Sequence, residues 1–424
     1  MKVDTDRNAS RLVPLALLAW LAAGAPVQAA TVCVSPGGAG GCFASLQSAV
    51  DAAAVGDVVE IAAGTYVESV QMPRKRLTLR GAGATTTIID GNGAPAVVRF
   101  LGQGGSLVTM ENLAVRGGDV GIAVQAAFQL RLADCAITDN GAGISLGNRA
   151  KMVLTRCSVS NNLDRGAIAL SATAKLTIVD SAVTGNTFAA ANGDGTGGID
   201  ATGALLVVDS TIAGNTSSGP GGGIRSAFGT LQIRGSTVSG NSSAASGGGL
   251  DLGTISGTVK IIDSTISDNV AATDGGGIHV DAHRRLTLDH VTIAGNTATS
   301  GRGGGLFARA VSSPKPTSMS ASLMADNVAA SEPDCSADLV LARAGNLVED
   351  PSGCTVLSRP GSALLSVDPL LGPLQDNGGP TETRALGNGS PALGVVTAKT
   401  GCKRPDQRGV ARATPCDLGA YEAP

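Results

Sequence analysis

All three histidines of the chain, His279, His283 and His290, fall within twelve residues. In His279-Val280-Asp281-Ala282-His283, alternate residues of an extended strand share a face. His279 and Asp281 would then project together, as an acid/base pair or, with His283, as metal ligands. Arg284 and Arg285 stand beside them and oppose a bound cation. A second set is dispersed, each member following a glycine phrase: Asp200, Arg225, Asp251, His279 and Phe307. If the phrases stack, Asp200 and Asp251 lie two repeats, about 9.6 Å, apart with Arg225 between them. That arrangement could hold a sugar acid. A glycoside hydrolase needs two carboxylates roughly 5 to 9.5 Å apart, and a lyase needs a base with charge stabilisation, often Arg with Ca²⁺. The plainer reading is a ladder of alternating charges on the outside of a soluble column, each pair contributing little.

Other candidates carry less chemistry. Asp134, Asp180, Asp209 and Asp263 share one repeat position at a bend, where their carboxylates would bond free turn amides. Asn192-Gly193-Asp194-Gly195 resembles a calcium loop only in part, and Ca²⁺ is the one cofactor the sequence raises. The glycine phrases lack the following Lys-Ser/Thr and helix of a phosphate cradle.

The elements that position these residues follow from a repeat. An apolar residue precedes an Asn in CAITDN, CSVSNN, SAVTGN, STIAGN, STVSGN, STISDN, VTIAGN and SLMADN. These phrases end at Asn140, Asn162, Asn186, Asn215, Asn241, Asn269, Asn296 and Asn327, at intervals of 22 to 31 residues. Counting back from each Asn, positions −3, −8 and −10 are apolar in nearly every copy, while −4 and −7 are mostly polar or small. That is the period of two of strands with one buried face. Units of this length are too small to bury their own apolar face, so only a stack of them has a core. β-branched strands broken by Gly and Asn predict a parallel β-helix of about eleven or twelve coils, a rod of roughly 50 to 60 Å at one strand spacing per coil. The repeated Asn would form a ladder at a turn, where Asn tolerates left-handed geometry and its amide can bond its neighbour in the next coil. The second phrase, exemplified by Gly221-Gly222-Gly223-Ile224 and Gly275-Gly276-Gly277-Ile278, predicts tight turns re-entering a strand.

Ser45 to Ala54 reads as a short amphipathic helix, with Ser45 as its cap and Leu46, Ala49, Val50 and Ala53 on one face, closing the open end of the column. Strands Val58 to Ile61 and Leu77 to Leu79 would begin the stack. Lys2, Arg7 and Arg11 precede an apolar run from Leu12 to Ala25, and Val27-Gln28-Ala29 offers a cleavage site, so residues 1–29 read as a signal peptide. Nothing later is long and apolar enough to span a membrane. Eight cysteines in an exported chain suit disulfides: Cys33 with Cys42, Cys335 with Cys354, and Cys402 with Cys416 are local pairs. Cys135 and Cys157 both sit at −5 and should stack in neighbouring coils, bonded or merely packed. No CxxC pair supports a metal site.

The net charge is −3 with the basic residues scattered through the sequence, which predicts no nucleic-acid partner. Trp20 is the sole tryptophan and lies in the export segment. Two Tyr and six Phe complete the aromatic content, few for a sugar-handling groove.

Three stretches resemble known families. SLQSAVDAAAVGDVVEIAAGTY followed by RLTLRGAGATTTIIDG looks like the opening of pectin-lyase-like right-handed parallel β-helix proteins. The apolar-x-x-Asn and Gly-Gly-Gly-Ile phrases resemble repeats of the polymorphic outer membrane proteins, adhesin-like surface β-helices. DPLLGPLQDNGGPTETRALGNGSPALG through DQRGVARATPCDLGAYE looks like the choice-of-anchor Q domain of secreted bacterial proteins. The resemblance implies export to the outer cell surface or the medium. Catalytic relatives of the first family act on acidic polysaccharides, but no established catalytic residue of the terminal domain carries over. The membrane barrel of the polymorphic proteins is not represented, and only Ala423 and Pro424 follow Glu422, which favours release or non-covalent retention.

The sequence therefore predicts an all-β protein: a right-handed parallel β-helix solenoid with an N-terminal capping helix and a small C-terminal domain. The expected divisions are 1–29 signal peptide, 30–57 cap, 58–330 repeats, and 331–424 last coils with the Q-like domain. The expected role is a non-catalytic scaffold for adhesion or contact with a cell-surface glycan or protein. The alternative is a polysaccharide lyase or hydrolase using Asp200, Arg225, Asp251 and His279.

Overall fold

The computed structural model describes residues 29–102, 106–189, 195–253, 257–281, 285–308, 317–342, 345–358, 363–397 and 401–424. The expected export segment lies, but for its last residue, outside the described residues.

Alternating apolar residues form strands, and the repeat length returns each strand beside its predecessor, one coil later and parallel. Lys151–Thr155 pairs with Gln129–Ala133 on one side and Lys175–Val179 on the other, so that Leu130, Met152 and Leu176 fall in one row. Ala204–Val208 and Leu231–Arg234 continue that row with Leu205 and Leu231. The result is a parallel β-solenoid of about eleven turns with very little helix. It has three main faces. A long face carries the five-residue strands just named. An asparagine face carries the short strands before each Asn, such as Thr211–Ala213 and Thr237–Ser239. A glycine face carries Ile199–Ala201, Ile224–Ser226, Leu250–Leu252, Ile278–Val280 and Leu306–Ala308. The core is the lumen, filled by the −3, −8 and −10 residues; Ile212, Val207 and Leu205 are all buried there.

Polar stacks hold the bends. Each Asn accepts the backbone N–H and a side-chain N–H of the Asn one coil earlier: Asn186 donates both to Asn215 Oδ1, at 3.1 and 2.9 Å, and Asn215 both to Asn241 Oδ1, at 3.0 and 2.9 Å. Each Nδ2 also reaches a carbonyl of the preceding coil, as Asn215 does to Val183 O at 3.0 Å. The ladder ends on Asp334. The left-handed residue of this turn is the one before the Asn, Gly214 (φ 62) or Asp139 (φ 55) among them, and not the Asn itself. Position −6 is the second bend, left-handed in all eight coils whether Asp, Arg156, Gly235, His290 or Ala321 occupies it. The carboxylates there do not serve turn amides as expected. Asp134 binds Arg156 through two bonds of 2.8 and 2.7 Å, and Asp263 binds Arg404 at 2.9 Å. A buried row at −5 runs from Cys135 and Cys157 into Ser181, Ser210, Ser236 and Ser264. Each of these serines accepts an N–H from the coil before, and donates to its own −7 carbonyl.

The helix spans Leu46–Ala52, shorter than the expected Ser45 to Ala54, with Leu46, Ala49 and Val50 fully buried over the first coils. Ser45 caps it weakly, at 3.4 Å to Ser48 N. Glu68, unnoticed in the sequence, does more: its carboxylate accepts from Leu46 N at 2.7 Å and Gln47 N at 3.0 Å, where a negative charge also suits the helix dipole.

After the last coils the chain turns back along the outside of the solenoid. Leu371–Gln375 and Thr383–Leu386 form an antiparallel pair, and the chain beyond this pair covers the asparagine face. Gln407 Nε2 donates to Thr237 Oγ1 at 2.8 Å and Gln407 Oε1 accepts from Thr265 Oγ1 at 2.7 Å, while Ala420 N donates to Thr292 Oγ1 at 3.0 Å. Arg404 spans Asp263 and Asp289, and Arg412, buried, lies 3.5 Å from Asp263 and 3.4 Å from Glu422. Disulfides join Cys33–Cys42, Cys335–Cys354 and Cys402–Cys416. Cys135 and Cys157 are buried and free. The interaction between their thiols pushes Cys135 up, with burial adding to it, and draws Cys157 down, with burial opposing it.

Candidate functional site

The second and third glycines of each phrase let coils stack backbone to backbone. A Cβ on Gly249 would meet Gly277 O at 2.6 Å, which only glycine avoids. The strand after each phrase therefore starts in the same register in every coil, and its second residue falls in one axial column. The pairs Asp200 with Arg225, Arg225 with Asp251, Asp251 with His279, and His279 with Phe307 are all direct cross-coil neighbours.

Asp251 is the centre of the column. Its Oδ1 meets His279 Nδ1 at 2.8 Å and its Oδ2 lies 3.9 Å from Arg225 Nε. The His279 ring stacks on Phe307 at 5.3 Å with 4° between planes, and the Arg302 guanidinium lies 5.1 Å from the centre of the Phe307 ring. The column is not the exposed ladder expected. Side-chain exposure is 10% for Asp251, 15% for His279 and 26% for Arg225. The cause is the first glycine of each phrase, which takes positive φ and folds over the column: a Cβ on Gly247 would lie 2.8 Å from that of Asp251.

Asp200 lacks a fixed partner. Its Oδ1 is buried without a hydrogen bond, as is Oγ1 of Thr196, the residue standing where the other phrases have their overhanging glycine. Burial holds the Asp200 carboxyl above the ordinary carboxylate range; the charge of Asp251 adds to this and Arg225 opposes it.

Of the proposed metal ligands, His279 spends Nδ1 on Asp251, His283 lies outside the described residues, and Asp281 follows the strand end. Among the described residues, no three His, Cys, Asp or Glu side chains converge on a point. Asn192, Gly193 and Asp194 of the possible calcium loop also lie outside the described residues. His290 is placed elsewhere, buried at the −6 bend with Nδ1 at 3.1 Å from Asp289 and Nε2 at 4.0 Å from Cys416 Sγ. His279 and His290, close in the sequence, thus serve different faces. The column holds an Arg225–Asp251–His279 relay whose groups face one another, with the buried Oδ1 of Asp200 left unpaired beside it.

Residues 86–205 match the family described as the right handed beta helix region, and residues 263–281 match the Chlamydia polymorphic membrane protein repeat. Among solved structures, the chain is similar to a pectate lyase, Pel9A, at 14% identity, covering 93% of this chain and 96% of that one with a TM-score of 0.46. It is similar to an alginate lyase from Paenibacillus sp. str. FPU-7 at 14% identity, 73% and 98% coverage, TM-score 0.38. Pectin methylesterase PemA from Erwinia chrysanthemi is similar at 13% identity, 57% and 80% coverage, TM-score 0.33. No curated protein matches the sequence. No helix among the described residues is long and apolar enough to cross a membrane. At these levels of similarity no activity transfers, and the architecture itself is what stands: a right-handed parallel β-helix.

Proposed function

We propose that the chain is an exported, non-catalytic β-helix scaffold, working at the outer cell surface or in the medium through adhesive or glycan contact. The observation that carries this reading is the state of Asp251: nine-tenths covered, bonded to His279 and facing Arg225. A general acid, base or nucleophile must reach a substrate atom within hydrogen-bond distance, and this carboxylate is turned to its neighbours instead. Three disulfides suit an oxidising compartment, and a stack of coils offers a long rigid surface for many weak contacts. Residues 1–29 serve in this reading as the export signal, and the region 331–424, resembling the choice-of-anchor Q domain, ends the column and accompanies it to the surface.

The test is incubation of the purified mature protein with polygalacturonate and alginate, with and without Ca²⁺, monitoring unsaturated-product absorbance and new reducing ends. The expected result is no turnover. Turnover abolished by Asp251→Ala or Arg225→Ala would sink the scaffold reading and establish a lyase or hydrolase.

A further inference from the structure

The basic residues scattered through the sequence are gathered by the coil. On the long face, the outward rows are Gln129, Lys151, Lys175, Ala204, Thr230, Thr258, Arg285 and, beside it, Arg131, Val153, Thr177, Leu206, Gln232, Lys260, Thr287. Five of these fourteen residues are cationic and none is acidic, in a chain whose net charge is −3. Arg131, Lys151, Lys175, Lys260 and Arg285 are all exposed. No ion pair among the described residues occupies Lys151, Lys175 or Lys260. Between the two halves of this strip the face is concave: a groove of about 380 Å³ has Lys175 at one end and Lys260 at the other, with Thr177, Leu206 and Gln232 on its floor. Lys175 and Lys260 are three coils apart, about 14 Å along the axis.

We propose that this strip binds a linear anionic polysaccharide laid along the solenoid axis, an assignment that deepens, and rests on, the reading as a glycan-contact scaffold. The cations stand at the two ends of the strip, Arg131, Lys151 and Lys175 at one and Lys260 and Arg285 at the other, where one extended polyanion can span both, and the groove between them offers a Thr hydroxyl, a Gln amide and the apolar surface of Leu206, partners for sugar hydroxyls and ring faces. Single-stranded nucleic acid would demand aromatic platforms for its bases, and neither row carries one. The strip runs along a different face from the Asp251 column, so ligand held here does not meet that relay.

The probes are oligosaccharides of polygalacturonate for carboxylate, heparin oligosaccharides for sulfate, dextran as the neutral control, and single-stranded DNA, each titrated calorimetrically against the full mature protein. Binding of one or both anionic sugars, weakened at least tenfold by Lys175→Glu with Lys260→Glu and unchanged by Asp251→Asn, is expected. The affinity should also fall between 50 and 200 mM salt, because exposed charges act over a Debye length of only about 8 Å at physiological strength. No binding of either sugar, binding that survives the double charge reversal, or tighter binding of DNA would overturn the strip. Cleavage of a bound probe would instead overturn the scaffold reading while the charge-reversal result still judged the strip. Both lysines are exposed, and circular dichroism of the double variant separates lost binding from lost fold.

Discussion

Asp334 closes the asparagine ladder: its Oδ1 accepts the backbone N–H of Asn327 at 3.4 Å and the Nδ2 of the same residue at 2.8 Å. Its Oδ2 takes the N–H of Asp350 at 2.7 Å, so one buried side chain ends eight stacked amides and fixes the loop beyond them. Replacing an inner rung tests how much the stack contributes. Asn215→Ala would strand the buried Asn186 N–H and take one partner each from Asn186 Nδ2, Val183 O and Asn241 Oδ1, which keeps the backbone N–H of residue 215. At about 1 to 3 kcal/mol for the buried donor left unpaired and about 1 kcal/mol for the bonds lost beside it, a loss of roughly 2 to 4 kcal/mol is expected in urea unfolding. A loss under about 1 kcal/mol would mean that the ladder is an ornament of packing.

The buried thiols predict a tolerant substitution. Cys157 stands at the position that Ser181 and Ser210 fill in the next two coils, and its Sγ already contacts Thr155 O at 3.4 Å. Cys157→Ser should extend the serine row, change stability by less than about 1 kcal/mol, and leave one thiol that reacts with a thiol reagent only after denaturation. The native wild-type protein should show two such latent thiols. Immediate labelling of folded protein would contradict the burial.

Asp200 gives a pH signature. Its folded-state affinity for a proton exceeds that of the unfolded chain, because burial disfavours the charge. Its contribution therefore favours the fold while the carboxyl is protonated, and is lost as pH rises through the folded value, above the ordinary carboxylate range. Asp200→Asn should remove this dependence and make the protein relatively more stable at neutral pH than the wild type. Measuring unfolding free energy from pH 4 to 7 for both proteins checks it; parallel curves would refute the shift.

Arg412 is a buried charged link between the returning chain and the solenoid. Cutting it to Ala leaves Asp263 and Glu422 buried with one partner fewer, which costs on the order of 3 to 5 kcal/mol for such pairs. Limited proteolysis should then clip the segment after Leu371 before it attacks the coils. Equal susceptibility of both regions would argue against a separable docking.

Much of the fold was legible because its signals are local and repeated. The −3, −8 and −10 residues mark the lumen, and the Gly-Gly-Gly-Ile phrase marks the register that aligns Asp200, Arg225, Asp251 and His279. What the column becomes was not legible, since the overhang of Gly247 depends on where one coil's turn lies relative to a residue four places on. The serine row was present in STIAGN, STVSGN and STISDN, yet a small polar residue in a strand phrase looks like surface. The long-face strip was harder still. Lys151 and Lys260 are 109 residues apart in sequence, and only winding of the chain brings them onto one face. Glu68, Gln407 and Arg404 act across 21 to 170 residues, beyond any short-range pattern.

The return of the chain has a mechanical consequence. A bare solenoid is held by contacts between adjacent coils alone, so it frays from an end one coil at a time. Here a single stretch touches Gly235, Thr237, Thr265, Thr292 and Ala321, residues of four consecutive coils, with no coil left to the strength of its neighbours. It acts as a splint. Peeling must break this stretch away or proceed through all four coils together, which turns a sequential unravelling at that end into a concerted one.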